Sequence, residues 1–343
     1  MSDMSEKKPY KIDVPVLLIF FNRPGCFRQV FEQVKLARPR KLFLYQDGAR
    51  EGNEKDAACV QKCREIVSDI DWDCEVHTLF QEKNFGCDPS EYIAQKWAFS
   101  HVDKCIILED DDVPSQSFFP YCKELLDKYE NDERINMICG MNNLETVDSP
   151  YSYLFTYTGS IWGWASWKRV IDKWESDYAF LDPGYDRDKL FDTLRMRGMF
   201  PEKKMATWQA NRDSGVEHYE TILGLGQYCN TGLNIVPTKN MIHNVGNTPE
   251  GGTHSTNGIE TIPKGLRKIY TMPTYEIEFP LKHPKYVIED IDFQKKLNRL
   301  MGTGRPLVQF YRKIEKTFLI FKHEGIGAMF KKVKKAVFKK KRR

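Results

Sequence analysis

Short apolar runs alternate with helical patterns over the first third of the chain. The runs predict strands and the segments between them predict helices, with strands at 14–21, 41–45, 74–79 and 104–108 and helices at 26–36, 54–69 and 89–101. Strands separated by helices indicate parallel pairing with right-handed crossovers. We therefore predict the α/β class, with a mixed, mainly parallel sheet flanked by helices. Further helices are predicted over 290–322, so the sheet is followed by a C-terminal helical extension.

Polar residues follow each of the four predicted strands. Asn22 and Arg23 follow the first strand, Asp47 the second, Asn84 the third, and the segment Glu109–Asp112 the fourth. Because the carboxyl ends of parallel strands meet at one edge of a sheet, we expect these side chains to share a crevice. A nucleotide fits a crevice of this kind.

The segment Glu109–Asp112 is four consecutive carboxylates directly after an apolar run. Adjacent negative charges repel, so the fold needs a positive partner for them. A Mn²⁺ or Mg²⁺ ion that carries a phosphate is the usual partner of such oxygen ligands. A solvated acidic turn is the alternative. No phosphate-binding glycine loop follows the first strand, so a bound diphosphate would depend on the metal for neutralisation.

The C-terminus differs in charge from the rest of the chain. The net charge is +4, the last thirteen residues hold nine Lys or Arg, and subtracting these leaves −5. Apolar residues recur there at helical spacing, at Ile326, Met329, Phe330, Val333, Val337 and Phe338. We predict a basic amphipathic helix on an anionic membrane surface, with a disordered tail or a nucleic-acid contact as alternatives. Nothing else resembles a nucleic-acid reader, and we expect no nucleic-acid partner.

The start of the chain and its cysteines bear on location. The polar start Met1–Lys8 shows no signal-peptide pattern, and no apolar stretch approaches the roughly 20 residues that span a bilayer. The nine cysteines are scattered and odd in number, so we expect reduced thiols. The prediction is a cytoplasmic protein, peripheral on the inner face of the cell membrane.

The order of these motifs resembles the GT-A glycosyltransferases, whose sheet is Rossmann-like. The closest likeness is to bacterial members of the N-acetylglucosaminyltransferase I type, and it rests on Asn22-Arg23-Pro24, Gln46-Asp47-Gly48, Asn84-Phe85-Gly86, and Leu108–Asp111 followed by Phe118-Phe119. The resemblance implies a catalytic domain over 1–290, with a donor half at about 12–140 and an acceptor half at about 141–290. Residues 291–343 would be the helical extension.

The resemblance also implies a UDP-sugar donor and a set of residues that bind it. The residues implied are Asn22, Arg23, Asp47, Asn84, Glu109, Asp110 and His254. Asp111 falls at the metal-binding aspartate, and Asp112 is either a second metal ligand or a cap of the next turn. His254 lies in Gly251–Ser255, which resembles a loop that closes over the donor, although a mobile surface loop with no ligand role is an equal interpretation.

The acceptor side is assigned in the same way. Trp162, Gly163 and Trp164 resemble a segment behind the donor sugar, although a core cluster is an equal interpretation of the two tryptophans. The general base falls at Glu220, where the family has Asp, and Glu217 is the second candidate. A solvated helix carboxylate is the plain alternative for Glu220.

These assignments predict an inverting, metal-assisted glycosyltransferase. It would move a sugar from a nucleotide-sugar to a glycan or lipid-linked acceptor in surface polysaccharide synthesis. One alternative is a sugar-nucleotide nucleotidyltransferase, which would favour a glycine-rich basic loop after the first strand. The other is a non-catalytic sugar- or nucleotide-binding protein.

Overall fold

Strands and helices alternate along most of the chain in the computed structural model, which describes residues 7–247 and 258–327. The described strands are β1 (Val16–Phe20), β2 (Lys41–Gln46), β3 (Glu75–Phe80), β4 (Lys104–Glu109), β5 (Asp112–Pro114), β6 (Ile135–Cys139), β7 (Tyr153–Thr156), β8 (Trp164–Trp167), β9 (Leu233–Pro237) and β10 (Ile242–Asn244). The described α-helices are α1 (Pro24–Ala37), α2 (Glu54–Val67), α3 (Cys87–Phe99), α4 (Phe118–Lys128), α5 (Lys168–Ile171), α6 (Tyr185–Met196), α7 (Pro201–Asp213), α8 (Tyr219–Cys229), α9 (Lys264–Thr271), α10 (Ile291–Met301) and α11 (Pro306–Glu324). Short 3₁₀ helices lie at Ala179–Leu181 and Ile259–Thr261.

A central eight-stranded sheet has the order β3-β2-β1-β4-β8-β6-β9-β7. Its first four strands are parallel and follow the order of a Rossmann-like sheet. Strand β8 is antiparallel to both β4 and β6, and β7 is antiparallel to β9. The predicted α/β class with a mixed, mainly parallel sheet is therefore confirmed.

Helices cover both faces of the sheet at β1, as the continuous apolar sequence of this strand requires. Val16, Leu18 and Phe20 point into one core layer, which helices α1 and α4 complete. Leu17 and Ile19 point into the other layer, against α3. Since neither face of β1 meets water, the polar groups at the end of this strand and its neighbours mark the part of the sheet that can receive a ligand.

A two-stranded ribbon and the C-terminal helices complete the described structure. Strand β10 pairs antiparallel with β5, so Asn244 lies opposite Asp112. Helix α10 packs into the core through Phe293 and Leu297. The predicted loop residue His254 and residues 328–338 of the predicted amphipathic segment lie outside the described residues. No described helix is long and apolar enough to cross a membrane.

Candidate functional site

A cleft of about 670 Å³ opens at the carboxyl ends of β1, β2 and β4. Its size is within the range of about 300–1,000 Å³ that small-molecule sites occupy. Most residues predicted from the sequence line it, namely Asn22, Arg23, Asp47, Asn84, Glu109, Asp110, Asp111, Trp162 and Glu220. The cleft therefore collects the polar ends of separate strands, as the parallel topology requires.

Asp47 organises one wall of the cleft. Its Oδ1 accepts hydrogen bonds from the N–H groups of Gly48 (3.0 Å) and Phe85 (2.9 Å). Its Oδ2 accepts from Asn84 Nδ2 (2.7 Å) and the N–H of Gly86 (3.0 Å). Burial nevertheless raises the pKa of Asp47. The side chain thus fastens the turn after β3 to the end of β2 and fixes the shape of this wall.

Asn22 is held by a second acidic residue that the sequence did not single out. Its Nδ2 donates to Asp56 Oδ1 at 2.7 Å, and Arg50 Nη2 donates to the same oxygen at 2.8 Å. The bond from Arg50 holds the pKa of Asp56 below its usual range. Arg50 lines the cleft and keeps an exposed guanidinium at its rim.

Arg23 supplies positive charge to the acidic segment. Its guanidinium forms an ion pair with Asp110 and another with Asp111, where Nη1 and Oδ2 are 2.8 Å apart. Burial alone would lower the pKa of Arg23, but the two carboxylates raise it overall. The repulsion that the sequence predicts between adjacent acids is therefore offset in part by a side chain from the end of β1.

Asp112 lies behind the cleft and not in it. Its Oδ2 accepts from the N–H of Gly163 at 2.8 Å, and its Oδ1 accepts from Asn244 Nδ2 at 3.1 Å. The same amide donates to Asp111 Oδ1 at 3.0 Å. Asp112 is fully buried with both oxygens engaged, so we correct its assignment as a metal ligand. It joins the acidic segment to β10 and to the turn before β8.

The two tryptophans of the acceptor segment occupy different places. Trp162 lines the cleft, where its ring centroid lies 5.3 Å from that of Tyr270. Trp164 is buried on β8 in the core and pairs with Ile107, so it does not face the cleft. Its predicted place beside a sugar is therefore corrected. Gly163 between them has φ +58°, which turns the chain so that only the first ring reaches the cleft.

The two candidate bases are separated by the start of α8. Glu220 lies in the first turn of this helix, is exposed, and lines the cleft. Glu217 precedes the helix, is half-buried, and is not among the lining residues. Glu220 is thus the better placed of the two for a substrate in the cleft.

The floor of the cleft contains polar residues that the sequence analysis missed. Glu91 and Tyr219 line the floor and are buried, and Gln95 Nε2 donates to Glu91 Oε2 at 3.2 Å. The Tyr219 hydroxyl and Gln95 Oε1 have no hydrogen-bond partner within residues 7–247 and 258–327. Buried polar atoms without partners are rare, and of these two residues Tyr219 lines the cleft whereas Gln95 does not. The only signal in the sequence is a lone acid on the apolar face of α3.

The carboxylates suit a cation that arrives with a substrate. Among the described residues, no group of three or more His, Cys, Asp or Glu is arranged to hold a metal. Mg²⁺-type sites commonly use one or two carboxylates and complete the shell with substrate phosphates and water. Asp111 and Asp110 line the cleft and fit that donor set. A Cβ on Gly246 would lie 1.8 Å from Asp111 Oδ2, so only glycine leaves this oxygen room.

Comparisons with known proteins give loose structural likenesses. No protein family model and no curated protein matches the chain. A UDP-glucose pyrophosphorylase complexed with UDP-glucose is 10% identical, over 68% of this chain and 93% of its own, with a TM-score of 0.34. The inositol-1-phosphate CTP transferase from T. maritima is 8% identical, over 48% and 74%, with a TM-score of 0.30. The 4-diphosphocytidyl-2C-methyl-D-erythritol synthase from Anaerococcus prevotii is 9% identical, over 47% and 74%, also with a TM-score of 0.30. These scores assign no activity, so function is argued from the site.

Proposed function

We propose that this protein is an inverting glycosyltransferase of the GT-A type that uses a UDP-sugar donor. The acceptor would be a hydroxyl of a glycan or of a lipid-linked glycan in surface polysaccharide synthesis. The observation that carries the proposal is one cleft that holds Asp47, Arg23, Asp111 and Glu220 together. These residues would supply a nucleoside wall, a diphosphate region and a carboxylate base, which are the parts that sugar transfer needs.

The nucleoside would lie along the wall that Asp47 and Asn84 build. The turn after β3 is rigid because Asp47 accepts four hydrogen bonds from it and from the adjoining Gly48. A rigid wall orders a flat base with little loss of entropy on binding. Asn22 and Arg50 lie on the same side and offer donors to the ribose and its neighbouring phosphate.

The diphosphate would lie over Arg23 and Asp111. A bound Mn²⁺ or Mg²⁺, held by Asp111 with Asp110 close by, would stabilise the charge that develops on the departing UDP. Arg23 lies beside both carboxylates and keeps them in place before the donor arrives. Its fixed guanidinium adds positive charge where the leaving phosphate gains negative charge.

Glu220 would take the proton of the acceptor hydroxyl, which then attacks the anomeric carbon from the face opposite the diphosphate. The exposed position of Glu220 at the rim leaves room for a large acceptor. The sugar ring itself would rest on the floor, where Glu91 and Tyr219 offer hydrogen bonds to its hydroxyls. The Trp162–Tyr270 pair provides an aromatic side to the same space.

A nucleotidyltransferase is the main alternative, and the short connection before α1 argues against it. Helix α1 begins at Pro24, so only Phe21, Asn22 and Arg23 separate it from β1. This connection has no room for the glycine-rich loop that would hold a nucleoside triphosphate. Release of pyrophosphate from UTP and a sugar 1-phosphate would favour the alternative over sugar transfer.

The first test is calorimetric titration of UDP with and without Mn²⁺. We expect binding that strengthens by about tenfold or more when the metal is present. In the variant Asp111→Asn the metal effect should disappear, because the carboxylate that faces the diphosphate loses its charge. Asp172→Asn, which removes only an exposed ion pair at the C-terminal end of α5, is the matched control and should bind as the wild type does. Failure of UDP to bind in any of these conditions would rule the proposal out.

A further inference from the structure

Helix α11 exposes a continuous apolar stripe. Its members are between 45% and 71% exposed and are Leu307, Phe310, Tyr311, Ile314, Phe318 and Phe321. At 3.6 residues per turn they fall within an arc of about 100°, which is one side of the helix. Side chains of this size, placed next to each other on a surface, indicate an interaction site.

The opposite side of α11 is fastened to the protein. Leu319 and Ile320 are buried there, and Arg312 Nη2 donates to the carbonyl of Leu300 at 2.8 Å. Glu315 Oε1 accepts from the N–H of Lys264 at 3.0 Å, at the start of α9. The helix therefore has one buried side and one exposed apolar side, and its rotation about its axis is fixed by these contacts.

We propose that this stripe lies on the surface of an anionic bilayer. Charge favours an anionic bilayer as the partner of the stripe, because the last thirteen residues of the chain include nine Lys or Arg and no acid. Each basic residue near an anionic membrane adds about 1 kcal/mol of attraction, whereas a second copy of this chain would bring the same positive charge and repel. Aromatic side chains with an adjoining basic segment are typical of helices that lie in the membrane interface.

The position of α11 connects this surface to the cleft. The helix packs against the 3₁₀ helix Ile259–Thr261 and contacts the start of α9. Helix α9 carries Tyr270, which lines the cleft beside Trp162. Docking of the stripe would thus hold this side of the cleft near the bilayer, where a lipid-linked acceptor is found. This last step rests on the proposed function, whereas the docking itself does not.

Flotation of the full chain with vesicles tests the proposal. We expect the wild type to bind vesicles of phosphatidylcholine mixed with phosphatidylglycerol and to bind pure phosphatidylcholine only weakly. The double variant Phe310→Ser, Phe318→Ser should bind the anionic vesicles about tenfold or more weakly, because two large rings leave the interface. The control Tyr185→Ser, Met196→Ser removes two even more exposed apolar residues from α6 and should bind as the wild type does. Thermal unfolding should be the same in all three proteins, since every changed side chain is exposed.

Three outcomes would overturn the docking. Wild type that stays unbound with anionic vesicles excludes a membrane role for the stripe. If the double variant binds the anionic vesicles as tightly as the wild type does, the basic C-terminus alone accounts for membrane binding. A wild type that sediments as a dimer without lipid, together with a monomeric double variant, makes a second copy the partner. None of these measurements involves a UDP-sugar, so they leave the glycosyltransferase proposal to its own test.

Discussion

Glu220 is the residue on which the transfer step depends, because it is the acid of α8 that lines the cleft. We expect Glu220→Gln to keep UDP affinity and to slow transfer by about 10²–10⁴-fold, which is the usual contribution of a general base. The rate can be followed as UDP released from the UDP-sugar in the presence of a lipid-linked glycan extract.

Glu217→Gln is the matched control for this prediction. Glu217 lies just before α8 and outside the lining of the cleft, so its amide variant should transfer at close to the wild-type rate. The reverse result, with transfer lost in Glu217→Gln and kept in Glu220→Gln, would move the base to Glu217. Normal transfer in both variants would mean that neither carboxylate takes the proton.

Tyr219 permits a test of the cleft floor that separates binding from stability. Its buried hydroxyl has no partner among the residues described, so Tyr219→Phe should unfold at the same temperature or slightly higher. We expect UDP affinity to be unchanged and UDP-sugar affinity to fall by about tenfold, the value of one lost hydrogen bond to a ligand. Calorimetry with UDP and UDP-glucose, UDP-galactose or UDP-N-acetylglucosamine measures both.

Tyr45 offers the control for Tyr219. Its hydroxyl is also buried without a partner in the described part of the chain, but Tyr45 is not among the residues that line the cleft. Tyr45→Phe should therefore leave the affinity for UDP and the affinity for the UDP-sugar unchanged. If both variants lost UDP-sugar affinity equally, the loss would come from a general change in packing. The floor of the cleft would then not be a sugar site.

At the scale of elements, the turn before β8 has a strict requirement for glycine. Gly163 has φ +58°, and an added Cβ would lie 2.4 Å from Ile242 Cδ1 on β10. We expect Gly163→Ala to lower the free energy of unfolding by about 1–3 kcal/mol, from backbone strain together with overpacking. Chemical denaturation measures the change.

Gly224→Ala is the matched control in α8. Apart from the residues next to it and its own helix backbone, no described atom lies within 4 Å of its added Cβ, and the helix interior favours alanine. The free energy of unfolding of this variant should be about 0.5–1 kcal/mol higher than that of the wild type. A Gly163→Ala protein as stable as the wild type would show that the ribbon of β5 and β10 yields to the extra atom.

The elements of the first half could be predicted because they depend on local patterns. The predicted strand at 104–108 is observed as Lys104–Glu109, and the predicted helix at 54–69 is observed as Glu54–Val67. The second half has short strands whose partners are far along the chain. Strand β8 has only four residues, in a segment whose tryptophans suggested a binding surface. Its insertion between β4 and β6 depends on tertiary pairing, which has no local signal.

At the scale of the whole molecule, the site was predictable where the topology alone gathers residues. Asn22, Asp47 and Asn84 follow parallel strands, and the sheet brings them to one edge. Contacts between distant segments were not predictable in this way. Asn244 reaches Asp112 across 132 residues of sequence, and the same amide also holds Asp111. Glu91 enters from a helix face, and its only signal in the sequence is that it is a lone acid on the apolar face of α3, whereas acids normally point to solvent.

Glu91 also makes the stability of the whole molecule depend on pH. Burial raises its pKa above the ordinary value of 4.5, and the nearby Asp112, Asp110 and Asp111 raise it further, although Gln95 opposes this through a hydrogen bond. The folded protein therefore keeps a proton that the unfolded chain releases above its ordinary pKa. Stability from this group is full below that pKa and falls as the pH rises toward the raised value.

The variant Glu91→Gln removes this dependence, because the amide has no proton to release. We expect its melting temperature to exceed that of the wild type by several degrees at about pH 7 and to converge with it near pH 4, where the unfolded carboxylate is also protonated. The control Glu65→Gln changes an exposed acid on α2 and should follow the wild type at every pH. A difference between Glu91→Gln and the wild type that stays constant from pH 4 to about pH 8 would mean that Glu91 does not exchange its proton on folding. The acidic floor would then be ionised before any ligand arrives, and a sugar hydroxyl would meet only hydrogen-bond acceptors at this residue.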